Sequence, residues 1–334
     1  MKSFIHKAIH NLSQYACVQG LYKGKGVILM LHRIAPFEHR LAPNENMKVS
    51  PVFLESFILQ AKAQGYTFIS IDEVYRGLCE QRLVDKFICI TIDDGYKDNL
   101  TYGYPIFSKH NVPFCIYVCT SFPQGTHNMW WFGLEDYLLK ENAININGNM
   151  WDISSIESKE AAFMALREII IQKVSSYEDC AETMQSLGIA YNPRDYDNLT
   201  LTWEDIDFLS TANGGGGIDR ICTIGCHTHS HPIFNNLSHK QVTADIQKAN
   251  ALFKAHLGEI PKHFAYPFGG RIEVDSSYFP LMATLGFKTA TTTRHGCIYP
   301  SHKAHLHALP RVFFSQHFNI ESAYKIRKKR VVTS

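Results

Sequence analysis

The chain predicts an α/β barrel carrying a mainly helical insertion, and three observations support that expectation. Short runs rich in Val, Ile, Phe and Cys recur along the chain, separated by stretches of helical periodicity. Residues that carry chemistry stand at the C-terminal ends of several such runs, as at the mouth of a barrel of parallel strands. Residues 121–220 interrupt the alternation and must leave the barrel and return.

Strands are expected at 26–32, 67–71, 87–93, 114–120, 221–226, 263–267, 288–293 and 309–314. Helical patterns lie near 51–64, 99–110, 238–256 and 276–285. Pro51 and Pro105 stand near helix starts, where a missing N–H leaves nothing unpaired, and Gly65 and Gly286 mark stops. Phe4, Ile5, Ala8, Ile9 and Leu12 fall at helical spacing, so residues 1–25 read as an amphipathic N-terminal helix. The barrel then occupies 26–120 and 221–320, and the insertion over 121–220 caps its groove. That insertion holds Trp130-Trp131-Phe132 and a helical run near 158–174. Its closing run Gly214–Gly217 lacks the Lys-Ser/Thr of a phosphate loop and reads as a flexible turn. Residues 321–334 form a basic tail, Lys325-Ile326-Arg327-Lys328-Lys329-Arg330, expected to be solvated.

With 334 residues and 45% hydrophobic content, the chain can bury a substantial core in one or two domains. A net charge of +2 creates no global field that would demand nucleic acid or a membrane. Nine cysteines, an odd number, lie mostly inside strand-like runs, and no Cys-x-x-Cys pair occurs. Neither a zinc ribbon nor a disulfide framework is therefore expected. Residues 1–20 lack the continuous apolar run of a signal peptide or membrane span. These features lead to an expected cytoplasmic location without an obligate protein partner. Weak contact with the inner membrane face is the sharper reading of the basic tail and amphipathic start.

Two motifs concentrate the chemistry. Thr91-Ile92-Asp93-Asp94-Gly95-Tyr96 sets adjacent carboxylates at the end of one apolar run, and His227-Thr228-His229-Ser230-His231 follows another. One carboxylate and two imidazoles make a three-ligand set that leaves positions open on a divalent metal. Such a cation would relieve repulsion between the neighbouring carboxylates, with Asp94 as ligand and Asp93 kept for proton transfer. The strand is expected to end at Asp93, so both carboxylates can turn into one pocket, and Gly95 permits the sharp turn after them. A helical or turn-like spacing of four puts His227 and His231 on one side and directs His229 elsewhere. Asp-Asp-Gly alone is a common turn signal, and a His-rich alternation alone could be a surface loop. Together, each behind a strand, they predict a metal-dependent hydrolase.

The first motif resembles that of the polysaccharide deacetylases, the NodB-homology or carbohydrate esterase family 4 enzymes. The second is similar to their His-Ser/Thr-x-x-His motif. Phe264-Ala265-Tyr266-Pro267-Phe268-Gly269 resembles the third, which forms one wall of the active-site groove. The resemblance runs roughly over residues 26–315 and implies a distorted, incomplete (β/α) barrel of the NodB-homology type. It implies Asp93 as general base, with Asp94, His227 and His231 holding Zn2+, or alternatively Co2+, Ni2+, Mn2+ or Fe2+. Tyr96, Tyr266, Pro267 and Phe268 are expected along the substrate groove. The Trp130-Trp131 pair could offer a stacking face for a sugar, or equally be helix-packing core.

Two departures from the family pattern stand out. Ala265 occupies the slot of the arginine that tethers the catalytic aspartate, and Arg311 is the candidate substitute. The general acid resembles that of members with permuted motif order, where the histidine ends an N-terminal strand; His32 takes that place here. His302, His305 and His307 form a competing cluster, read as a solvated loop. The implied substrate is an N-acetylated sugar of a polysaccharide, or a lipid- or nucleotide-linked glycan precursor. Hydrolysis of a ureide or formamide, and O-deacetylation, are the alternatives.

Overall fold

The computed structural model describes residues 24–146, 148–174, 177–213 and 220–323. The expected N-terminal helix and basic tail lie outside these residues, apart from 24–25 and 321–323, and so does the glycine run 214–217.

Seven parallel strands close a ring. They are β1 (Gly26–Leu31), β2 (Phe87–Asp94), β3 (Phe114–Val118), β4 (Cys222–Cys226), β5 (His263–Ala265), β6 (Thr289–His295) and β7 (Leu309–Phe313). Each pairs with the next, and β7 returns to β1. The ring is uneven. β1 and β2 pair from Gly26–Phe87 to Leu31–Ile92, whereas β7 meets β1 only at Leu29–Val312 and Met30–Phe313. A register shift between Thr291 and His295 further distorts the β6–β7 seam. The expected strand at 67–71 shrinks to Thr67–Phe68, which pairs with β2 ahead of the point where β3 begins. Its remainder is lost because Ser70 caps a helix that starts at Ile71.

Outside the ring lie α1 (Pro51–Ala63), α3 (Tyr104–Lys109), α7 (Trp203–Thr211), α8 (His239–Leu257) and α9 (Phe279–Thr284), while α2 (Ile71–Cys79) packs across the end where the strands begin, its Asp72 3.2 Å from His263. Pro51 follows the N-cap Ser50, whose hydroxyl accepts from the Phe53 N–H. Gly65 and Gly286 stand at the expected stops with φ of +78° and +87°.

Strand alternation sorts the core. Val27, Leu29, Leu31, Ile88, Ile90 and Ile92 face the helices, while Ile28, Cys89, Cys115, Tyr117, Ala265 and Leu309 pack together inside the ring. Ile71, Val74 and Leu78 of α2 join that inner cluster. The eight cysteines among the described residues are all free. No helix among those residues is long and apolar enough to cross a membrane.

The insertion contains α4 (Trp130–Lys140), α5 (Ile156–Lys173) and α6 (Tyr177–Ser186), together with an antiparallel hairpin of Ala143–Ile146 and Asn149–Asp152. It has a core of its own, centred on Leu134, Leu138, Phe163, Leu166, Ile170 and Met184, and Leu41 from the barrel side joins it. The insertion is narrower than 121–220. Trp203, Ile206 and Leu209 of α7 pack into the barrel's outer core, because their spacing presents one apolar stripe to it.

Candidate functional site

Alternation along β2 carries Cys89, Thr91 and Asp93 into the barrel, and along β7 it carries Leu309 and Arg311. Arg311 and Asp93 therefore meet inside the ring. Nη1 donates to Asp93 Oδ1 and Nη2 to Oδ2, both at 2.6 Å, a bidentate fork on a carboxylate. The arginine is 0% exposed, and its Nε donates to the Thr292 carbonyl at 3.1 Å. Burial pushes the Asp93 pKa up, but the charge and hydrogen bonds of Arg311, together with His227 and His32, outweigh it and hold the carboxyl below its usual value.

Continued alternation would send Asp94 outward. Pairing of β2 with β3 in fact extends through Asp94, and the reversal comes at Asp94 itself, where φ is +78°. The turn at this residue, followed by Gly95 at φ +97°, brings the second carboxylate to the same pocket. Nε2 of His227 and Nε2 of His231 each stand 3.4 Å from Asp94 Oδ1. That spacing is wide for a hydrogen bond but natural for ligands converging on a common point. The three donor atoms lie within 4.8 Å of one another, and buried Asp94 Oδ1 has no hydrogen-bond partner. An orphaned carboxylate oxygen facing two imidazole nitrogens fits a divalent metal with open coordination positions. Burial raises the Asp94 pKa, yet His227 and His231 hold it well below the usual range.

The histidines lie on a loop rather than a helix. Thr228 and His231 adopt φ of +71° and +56°, and the His231 N–H donates to Thr228 Oγ1 at 3.0 Å. His227 Nδ1 lies 2.7 Å from the Ala265 carbonyl, which leaves Nε2 free to face Asp94. Ala265 thus serves the site through its backbone. Asp245 of α8 fastens the loop, accepting from the His229 N–H at 2.7 Å, the Ser230 N–H at 3.2 Å and the Ser230 hydroxyl at 2.5 Å. His229 turns away and pairs through Nδ1 with Thr120 Oγ1 at 2.9 Å. Sequence reasoning missed Asp245. Its available signal was an acid beside the apolar stripe of Val242, Ile246 and Ala249 in the helix that follows the histidines.

His32 follows β1 in the inward register of Ile28 and Met30 and lines the same pocket. Its buried Nδ1 has no hydrogen-bond partner. Burial lowers its pKa, opposed by the Asp94 and Asp93 charges. His302, His305 and His307 precede β7, at the other end of the strand, and His307 Nε2 is bound to the Phe287 carbonyl at 2.8 Å.

The pocket is a cavity of about 530 Å³ between the barrel mouth and the insertion. Asp93, Asp94, His32, His227, His231, Tyr96, Phe268, Trp130 and Trp131 all contribute to it. Tyr96 packs on Phe122 and Phe132, and its hydroxyl accepts from Trp131 Nε1 at 3.0 Å. Trp130 and Trp131 meet edge to face at 80°, so they are not one flat platform, and Trp130 is largely absorbed in the insertion core.

Two expected groove residues are elsewhere. Tyr266 follows inward Ala265 and so points outward, among Phe234, Phe264 and Phe279, with its hydroxyl donating to the His307 carbonyl at 2.9 Å. Pro267 is buried and does not line the cavity. Of that motif, Phe268 supplies the wall, its ring 4.8 Å from His231 and its φ at +58°.

Residues 219–290, a segment holding both ligand histidines and Phe264–Gly269, match the polysaccharide deacetylase family. No curated protein sequence matches the chain. Among solved structures it is similar to the deacetylase PplD of Streptococcus pyogenes in complex with acetate, at 18% identity and a TM-score of 0.59, over 88% of this chain and 94% of that one. It is also similar to IcaB from Ammonifex degensii, at 17% identity and a TM-score of 0.56, over 91% and 98%. A third likeness is to a de-N-acetylase from Aggregatibacter actinomycetemcomitans, at 13% identity and a TM-score of 0.55, over 89% and 97%. The barrel has the fold of these deacetylases, and the segment similar to the polysaccharide deacetylase family, residues 219–290, lies within it.

Proposed function

We propose that the chain is a metal-dependent N-deacetylase acting on an N-acetylated sugar of a polysaccharide or glycan precursor. What supports the reading above all is the meeting of Asp94, His227 and His231 beside an Arg311-held Asp93 in one groove. A divalent cation held by those three residues, zinc foremost, would polarise the acetyl carbonyl and lower the pKa of water.

Asp93 takes the proton from water as its oxygen adds to the acetyl carbon. Arg311 occupies one lone pair on each Asp93 oxygen, and the remaining lone pairs are available to the groove. His32, with Nδ1 unpaired and its ring at the cavity, gives a proton to the amine nitrogen as the C–N bond breaks. The backbone N–H of Phe268 is the proposed donor to the charge that develops on the carbonyl oxygen. Acetate and a free amino sugar result.

Replacement of Asp93 by Asn tests the central role. The variant should keep its metal and lose roughly 10²–10⁴-fold in acetate release. Full turnover in a metal-loaded Asp93→Asn protein would remove Asp93 as the base.

A further inference from the structure

We infer that the substrate is an N-acetylated sugar joined through a phosphodiester to a long apolar chain, with the insertion's α5 supplying the apolar wall and Arg167 the contact to phosphate. This rests on the deacetylase reading and narrows its substrate class.

The groove offers little to a run of sugar hydroxyls. Beyond the residues that hold the proposed chemistry, its walls are largely Met47, Phe163, Met164, Trp131 and Phe313. Apart from Arg167, three of the groove's polar side chains are already engaged. Arg33 is ion-paired with Asp98 at 2.7 Å, Thr293 donates to the Phe268 carbonyl at 2.7 Å, and Asn44 donates to the Trp131 carbonyl at 3.2 Å. A polysaccharide strand would need partners that these walls do not supply.

Apolar surface is instead left in water. Met164 is 47% and Phe313 37% exposed on facing sides of the cavity, one from the insertion and one from β7. Exposed apolar side chains gathered at a groove mark a surface that an apolar ligand covers. Methionines suit a flexible chain because their unbranched side chains adapt to irregular shapes.

Arg167 provides the polar end. It lies four residues after Phe163 and three after Met164, so all three share one face of α5. Its ion pair is with the adjacent Glu168, whose side chain is 57% exposed, so the bond is weak and readily exchanged. Arg33, the groove's other arginine, is held by buried Asp98. One exchangeable guanidinium matches the single charge of a phosphodiester, which it can grip through two N–H donors. A nucleotide-linked sugar brings two phosphates, a ribose and a polar base, and among the described residues the groove has no comparable set of uncommitted groups for them. The α5 wall is held to the barrel side, with Glu160 accepting from the Ala42 N–H at 2.9 Å and Leu41 buried in the insertion core.

The test is acetate release by the zinc-loaded full chain from four compounds. These are the farnesyl phosphodiester of N-acetylglucosamine, the corresponding methyl phosphodiester, a chitin oligomer and UDP-N-acetylglucosamine. The farnesyl compound should exceed the methyl compound in kcat/KM by roughly tenfold or more, and both should exceed the other two. Arg167→Met should raise KM for both phosphodiesters by about tenfold with little change in kcat, and leave the chitin oligomer unaffected. Met164→Gln should reduce the farnesyl advantage while sparing the methyl compound. Preference for the oligomer or the nucleotide sugar, or an Arg167→Met effect equal on all four, would overturn the substrate class and leave deacetylation standing. Zinc-loaded protein that releases no acetate from any of them would overturn the deacetylase reading and this inference with it.

Discussion

On the barrel side of the groove, buried partners hold the side chains that frame the site, while Asp94 Oδ1 and His32 Nδ1 are left without one. Arg311 grips Asp93, the Ala265 carbonyl orients His227, and Asp245 fastens the histidine loop. On the insertion side, Phe163 and Met164 present apolar surface from an independent core, and Arg167 is paired only loosely. A reacting centre needs ligand atoms held within tenths of an ångström, which strand ends and buried hydrogen bonds provide. A wall that selects substrate needs shape and polarity more than exact geometry, and a separately packed insertion can vary these without disturbing the strands. The two sides of one groove thus follow different requirements.

Three substitutions would sharpen or break that contrast. The largest effect should come from Arg311→Met, which leaves Asp93 buried without its counter-charge. Loss of one partner of a buried pair costs about 3–5 kcal/mol, so the variant should melt well below the parent and lose acetate release with it. A parental melting curve would show that the Arg311–Asp93 fork does not anchor the barrel side. Asp245→Ala should come next. It removes the acceptor for two backbone N–H groups and a hydroxyl on the loop, and metal affinity measured by competitive chelation should weaken about 10–100-fold. Unchanged affinity would mean that the loop holds its strained φ values unaided. Leu166→Ala, in the insertion core and 3% exposed, should be smallest at the site. It should destabilise the insertion by about 2–5 kcal/mol and leave metal affinity as it was. A matching fall in metal affinity would erase the distinction between the two sides.

The same division governs how much could be read from sequence. Asp93, Asp94, His227 and His32 each end an apolar run, with His231 four residues further on, and a barrel of parallel strands gathers such ends at one mouth. The seven ring strands were legible for the same reason, their buried runs being short, β-branched and separated by helical periods. Tyr266 and Pro267 were misplaced because membership in a motif does not specify a face, whereas alternation sends Ala265 inward and Tyr266 outward. The turn at Asp94 was hidden too, since nothing in Asp-Asp-Gly distinguishes a positive φ at Asp94 from one at Gly95 alone. Residues 201–212 read as part of the insertion because it had no visible end, yet their apolar stripe packs on the barrel. Phe163, Met164 and Arg167 carried no signal as groove residues. They reach the cavity only because the insertion folds back over the barrel mouth, a tertiary placement that a helical period cannot convey.

The most direct test of the central claim is the metal content of the purified chain, measured together with acetate release from N-acetylated sugars before and after chelation. One divalent metal per chain, chelator-sensitive acetate release, and loss of both on Asp94→Ala are expected. A parent protein that takes up no metal on reconstitution with zinc, cobalt or manganese would contradict the claim, since Asp94, His227 and His231 would then not form a metal site.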